Sequence, residues 1–318
     1  MVVQRSLLVL LLACLSACGT LFDGKPYGKS GTSDGQVAAT IGEIESGYTY
    51  IPVDPFPVET KLSASCKEVK SDTNAVLLDS LPDNAVRMLV ERFDRSGAIT
   101  YGASKAGVKD ESYRVTVDYI NADTINVPVA ITKLMRKKNV SPVSSDFEPV
   151  NLFATDLSEY VPGTERYEVT RLTTTKGAGG YVFNIPVYVG VGLRVSSYVY
   201  VMGASANISG IGVIGAEAEA DRLKGSLVVQ TLGVNGKSVA AALPIQSELN
   251  RTTAQNAIVA VGSIKALLYA SETITSPRVV GLYLPFPGGR ALVNALISEL
   301  SKERVEWFRA CPNAQTKS

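Results

Sequence analysis

Residues 181–202 constrain this chain more than any other stretch. Tyr181, Phe183, Ile185, Val187, Val189, Val191, Leu193 and Val195 place an apolar side chain at every second position. Val182, Asn184, Pro186, Tyr188, Gly190, Gly192, Arg194 and Ser196 make a mixed face between them. Period two belongs to extended backbone, whose successive side chains point to opposite faces of a sheet; a helix would scatter this stripe around its axis. The run exceeds the usual five or six residues of a strand, so a bend or turn near Pro186 or Ser196-Ser197 is expected to divide it. A sheet of this kind needs a core. A chain of 318 residues, 46% apolar and 19% charged, supplies one.

Other strands are expected at 113–119, where Tyr113, Val115, Val117 and Tyr119 alternate with Arg114, Thr116 and Asp118, and around Val127, Val129 and Ile131. Pro128 argues that the second of these is an edge or a bulge. Further strands are expected at 167–171, 227–232 and 279–284, with a turn at 234–237. Helical spacing joins Val86, Leu89, Val90 and Phe93 behind Asp83 as N-cap. A helix rich in Ala and Glu is expected over 211–224, closed by Gly225. Thr252-Thr253-Ala254-Gln255 matches a capping box that starts an expected helix with Ala254, Ile258, Val261, Ile264 and Leu268 on one face. After Gly288-Gly289, Leu292, Val293, Leu296, Ile297, Leu300, Trp307 and Phe308 draw one apolar helix stripe, which makes Trp307 a core residue. The expected class is α+β: a mixed, mainly antiparallel sheet with three to four packed helices, in a single domain after a flexible tether.

The first twenty residues carry an address. Arg5 precedes a short apolar run over 6–13, too short to span a bilayer, and small residues follow. Leu15-Ser16-Ala17-Cys18 resembles the lipobox of bacterial lipoproteins, with Leu at −3, small residues at −2 and −1, and then the cysteine. The resemblance implies that residues 1–17 are a signal peptide and that Cys18, carrying diacylglycerol and an N-linked fatty acyl group such as palmitate, is the mature N-terminus. Cys14 would leave with the signal. The alternative is a plain secreted protein cut after Ala17. In that family Asp after the cysteine marks retention in the inner membrane; Gly19 stands here, which implies the outer membrane. One acyl chain, at ~0.8 kcal/mol per CH₂, anchors only marginally, whereas two or more hold stably.

Seven glycines from Gly19 to Gly47, interleaved with Ser, Thr, Asp and Lys, read as a tether. Pro52, Pro55 and Pro57 extend its end. The expected organisation is therefore a signal peptide over 1–17, a Gly/Pro-rich tether over 18–58, a folded domain over 59–312 and a tail over 313–318. After processing, Cys66 and Cys311 remain. An oxidising compartment favours a disulfide between them, closing a loop of roughly 245 residues; two separate buried thiols are the alternative.

The chain contains no histidine, which removes Ser-His-Asp and Cys-His catalysis and every His-ligated metal site. Thirty-one basic and thirty acidic residues give a net charge of +1, no global field for nucleic acid. Gly210-Ile-Gly212-Val-Ile-Gly215 matches G-x-G-x-x-G and opens an expected helix, but no acid follows near 231–236 to hold a ribose, so its glycines are assigned to close packing and no cofactor is expected. Gly31-Thr32-Ser33-Asp34-Gly35 matches a nucleophile elbow by chance, since it falls in the tether. Glu217, Glu219 and Asp221 beside Arg222 and Lys224 read as a solvated helix face, and Arg136-Lys137-Lys138 as a solvated loop.

The expected function is a non-enzymatic lipoprotein of the cell envelope, a structural or binding component of an outer-membrane assembly facing the periplasm. Its partners would be the membrane, through the lipid on Cys18, and envelope proteins; homo-oligomers are compatible with this. Two alternatives stand beside it. Residues 181–202 are long enough for two transmembrane β-spans, so several subunits could pool hairpins into an export pore, similar in architecture alone to the lipoprotein channel that exports curli fibres. Paired carboxylates could also hydrolyse glycan or peptidoglycan in an open cleft.

Overall fold

The computed structural model describes residues 49–62, 74–93, 99–101, 106–138, 147–172, 180–203, 205–236, 247–286 and 289–309. Cys18, Cys66 and Cys311 lie outside these residues. The elements are β1 (Thr49–Leu62), α1 (Asn74–Leu78), β2 (Asp83–Phe93), β3 (Ile99–Tyr101), β4 (Ala106–Val108), β5 (Ser112–Arg136), β6 (Phe147–Val150), β7 (Arg166–Arg171), β8 (Tyr181–Val201) and β9 (Ser205–Asn207). They continue with α2 (Ile211–Glu219), β10 (Leu223–Leu232), β11 (Val234–Asn235), β12 (Ser247–Glu248), α3 (Arg251–Leu268), β13 (Ile274–Thr275), β14 (Arg278–Leu284), α4 (Gly289–Lys302) and β15 (Val305–Arg309). The fold is α+β.

Its main sheet runs β15-β1-β14-β8-β5-β2-β3, with β10 on the far half of β8 and β6 and β7 on the far half of β5. Only the β1–β15 pair is parallel. The alternating run 181–201 is one unbroken strand. β5 accompanies it from Tyr181 to Tyr200, β14 takes its other edge at 187–190, and β10 takes it at 192–201. Pro186 does not break it, because its absent N–H faces the β14 side just past the last pair, Leu282↔Val187. Pro128 likewise sits inside the 25-residue β5 rather than at an edge or bulge. Its carbonyl accepts from Leu172 N at the end of the β7 ladder, so its missing donor costs only the terminal bond of that ladder.

Several helix expectations change. Residues 83–93 form β2, paired residue for residue with β5. The strand is apolar on both sides at Leu89 and Val90, both buried, and two adjacent inward residues counterfeit a helical stripe. Helix α2 ends at Glu219 and turns through Asp221 at φ 56, while Gly225 lies within β10. The cap of α3 is Asn250, whose side chain accepts from Thr253 N as Thr253 Oγ1 accepts from Asn250 N; the box sits two residues before the expected start. Trp307 and Phe308 belong to β15. Trp307 is a core residue, fully buried, and its indole N–H donates to the Asp123 carboxylate at 2.9 Å. The sheet also starts earlier than residue 59, since β1 carries Pro52, Pro55 and Pro57 and pairs with β14 from Thr49.

Two cores flank the half-sheets. The larger gathers Ile185, Val187, Val189 and Leu193 of β8 with Ile264 and Leu268 of α3 and Leu292, Leu296 and Leu300 of α4. The second joins Val115, Val195, Val199, Leu223 and Leu227 to Ile211 and Ile214 of α2 and Ala254 and Ala257 of α3. In the G-x-G-x-x-G segment, Gly215 serves packing between helices rather than against the sheet: a Cβ there would stand 2.5 Å from that of Ala254.

Candidate functional site

β2, β5, β8 and β10 run side by side in constant register, so directly opposed residues share a face. One face reads as four cross-strand rows: Phe93–Ser112–Tyr200–Lys224, Glu91–Arg114–Tyr198–Ser226, Leu89–Thr116–Ser196–Val228 and Arg87–Asp118–Arg194–Gln230. The first row is open to solvent; in the last, Asp118 and Arg194 are buried beneath β1 and Gln230 stays exposed.

The sheet coils enough for β1 to cross above β5. The Tyr50 hydroxyl donates to the Asp118 carboxylate at 2.5 Å, and its ring lies over Gly281, where a Cβ would come within 2.6 Å of the phenol carbon and oxygen. Arg194 fills the space below. It grips Asp118 with Nε and Nη2, both at 2.7 Å, and donates to the carbonyls of Val53 at 2.7 Å and Val280 at 2.8 Å. Asp118 is wholly buried and Arg194 nearly so, a charge pair made admissible there by four guanidinium N–H bonds to oxygen. Burial first, and then the Asp118 charge, hold the Tyr50 phenol well above its ordinary pKa.

Between this plug and the open row lies a cleft of about 460 Å³, walled by residues 51–54 of β1 and by Arg290, Val293, Asn294 and Ile297 of α4. At its side the buried Glu91 accepts from both Nε and Nη2 of Arg114, the latter at 2.5 Å. Burial works against the charge on Arg114, but Glu91 more than offsets it and its pKa lies above the usual arginine value. The guanidinium carbon sits 5.8 Å from the Tyr198 ring centre, and Nη1 donates to the Tyr198 hydroxyl at 3.5 Å. Past Tyr198 the cleft runs into a shallow groove over Phe93, Tyr198, Tyr200 and Ser226. Tyr198 is 45% and Tyr200 43% exposed. The floor is small and hydroxylated, with Thr116 Oγ1 and Ser196 Oγ 3.4 Å apart.

This arrangement can hold a ligand with apolar flat faces and a polar periphery. Both buried carboxylates, Glu91 and Asp118, are clamped by guanidinium groups, so neither lies free toward the cleft. A larger groove of about 720 Å³ between β7 and β15 is a surface of ion pairs, Lys302 with Glu299 and Lys61 with Glu306, each at 2.6 Å. The acidic segment of α2 behaves as a solvated face, Glu217 meeting Arg222 and Glu219 meeting Arg251 at 3.4 Å each. In the basic segment, Lys137 lies 3.7 Å from Glu148 and Lys138 donates to Ser158 O. Among the described residues no three His, Cys, Asp or Glu side chains come together as metal ligands, and no helix is long and apolar enough to cross a membrane.

The sequence-derived site residues Cys18, Cys66 and Cys311 lie outside the described residues, and the cleft is built from others. The signal for Tyr198 and Tyr200 was present as two aromatic residues at i and i+2 on the mixed face of the longest alternating run. Glu91 could not be joined to them while residues 83–93 were read as a helix. Comparison with protein-family models, with curated proteins and with solved structures finds no match to this chain.

Proposed function

We propose that this chain is a binding lipoprotein of the bacterial envelope, anchored through acylated Cys18, that presents the β2-β5-β8-β10 face to a ligand or partner at the outer membrane. The observation that carries the reading is that open face, with its exposed tyrosines continuous with a cleft whose buried acids are engaged by arginines. A cleft whose buried acids are committed to its wall and whose exposed charges are of both signs suits recognition by shape and neutral polar contacts. The lipobox Leu15-Ser16-Ala17-Cys18 and the glycine-rich segment after it support an anchored body standing off the bilayer.

The test is mass spectrometry of the mature N-terminal peptide together with capture of envelope components on the membrane-bound protein. The expected product begins at Cys18 with diacylglycerol and an added acyl group, and it captures a component that Tyr198→Ala loses. An unmodified Cys18 refutes the anchor, and capture indifferent to Tyr198→Ala refutes the binding face.

A further inference from the structure

Resting on the binding role of that face, we propose that its ligand is a neutral oligosaccharide lying along the rows from Tyr200 toward Arg194. The rings of Tyr198, Tyr200 and Phe93 line the groove, and an aromatic face packs against apolar C–H groups while its edges stay polar. A sugar ring offers such a C–H face and surrounds it with hydroxyl groups. The floor beneath is matched to hydroxyls, since Ser112, Ser196 and Ser226 are small, are not buried and can each donate and accept. At the cleft end the exposed amides of Gln230 and Asn294 supply further paired donors and acceptors.

Charge narrows the class. The exposed ionic groups around the groove are of both signs, Lys224 and Arg290 against Asp54. A polyanion binds by neutralising a series of phosphates with a run of Lys and Arg, and among the described residues no such run borders this face. An apolar helix or acyl chain would leave the hydroxylated floor desolvated without partners. Length narrows it further: six residues of strand separate Tyr200 from Arg194, about 20 Å. That suits an oligomer better than a single sugar.

The experiment titrates the full lipidated chain in detergent by calorimetry. The probes are hexamers of β-1,4-linked glucose and of β-1,4-linked N-acetylglucosamine, with a single-stranded deoxythymidine oligomer as the polyanion. At least one hexamer is expected to bind. Tyr198→Ala and Gln230→Ala should each weaken it more than about fivefold, the loss expected for truncating a central contact. Tyr198→Phe should keep binding, because the ring remains, and Val86→Ala on the opposite face, 64% exposed, should leave it unchanged. Thermal melts accompany each variant; if Tyr198→Ala fails to fold, Tyr200→Ala replaces it. Binding of neither hexamer overturns the proposal, as does oligonucleotide binding that the same substitutions abolish. If the hexamers fail while Tyr198→Ala still costs capture of an envelope component, the ligand class falls and the binding role stands. If capture also ignores Tyr198→Ala, both fall.

Discussion

Replacing Arg194 with Met tests whether the plug beneath β1 organises the coiled sheet. The substitution preserves most of the stem and removes four hydrogen bonds, two to Asp118 and one each to the carbonyls of Val53 and Val280. Asp118, fully buried, then keeps only the Tyr50 hydroxyl. Breaking one side of a buried pair costs about 3–5 kcal/mol, because the remaining charge stays in a medium that cannot solvate it. Against a typical domain stability of about 5–15 kcal/mol this is a large share. For a domain of this size it corresponds to a fall in melting temperature of about 6–20 °C. The assay is urea unfolding followed by the fluorescence of Trp307, the single tryptophan and wholly buried. The double variant Arg194→Met with Asp118→Leu removes both charges and should recover most of the loss. A single variant within about 1 kcal/mol of the parent, or a double variant no better than the single, would refute the reasoning.

Stability should decline above pH 10, because the folded state keeps the Tyr50 phenol protonated where the unfolded chain releases it at its ordinary value of 10.0. Tyr50→Phe should flatten the alkaline slope of the melting temperature while lowering it at neutral pH; an unchanged slope contradicts this. Gly215→Val should cost about 1–3 kcal/mol in urea unfolding by forcing α2 off Ala254, whereas Gly210→Ala, in open space, should cost less. A bond between Cys66 and Cys311 is expected from non-reducing peptide mapping, and reduction should lower stability by several kcal/mol, near ~4.7 kcal/mol for so long a loop. The parallel ladder ends at Leu62↔Arg309, four and two residues ahead of the two cysteines in sequence; recovery of both as free thiols would dispose of the expectation.

β14, buried from Val279 to Leu282, was legible as a short apolar run, and alternation was legible in β7 and along parts of β5 and β8. It failed in β2, where Leu89 and Val90 are both buried and the period-two signal is lost. The apolar stripe of α4 was legible as far as Leu300. Beyond it Trp307 kept the right burial in the wrong element, since Trp307 and Phe308 follow Leu300 by seven and eight residues and so continued the helical spacing by coincidence. The cleft was not legible because its walls come from β1, β2, β8 and α4, more than two hundred residues apart in the chain.

What the amino-acid order determined by itself is local: the class of the fold, the period of most elements, the resemblance of Leu15-Ser16-Ala17-Cys18 to a lipobox, and the exclusion of histidine chemistry. These depend on neighbours a few residues away and on composition. Only the tertiary structure decided that Tyr50, Asp118 and Arg194 meet, that Glu91 faces Arg114, and that Tyr198 and Tyr200 stand exposed on a hydroxylated floor. Register and sheet coiling set those encounters. They arise from the summed burial of many strands, which no single stretch of sequence encodes.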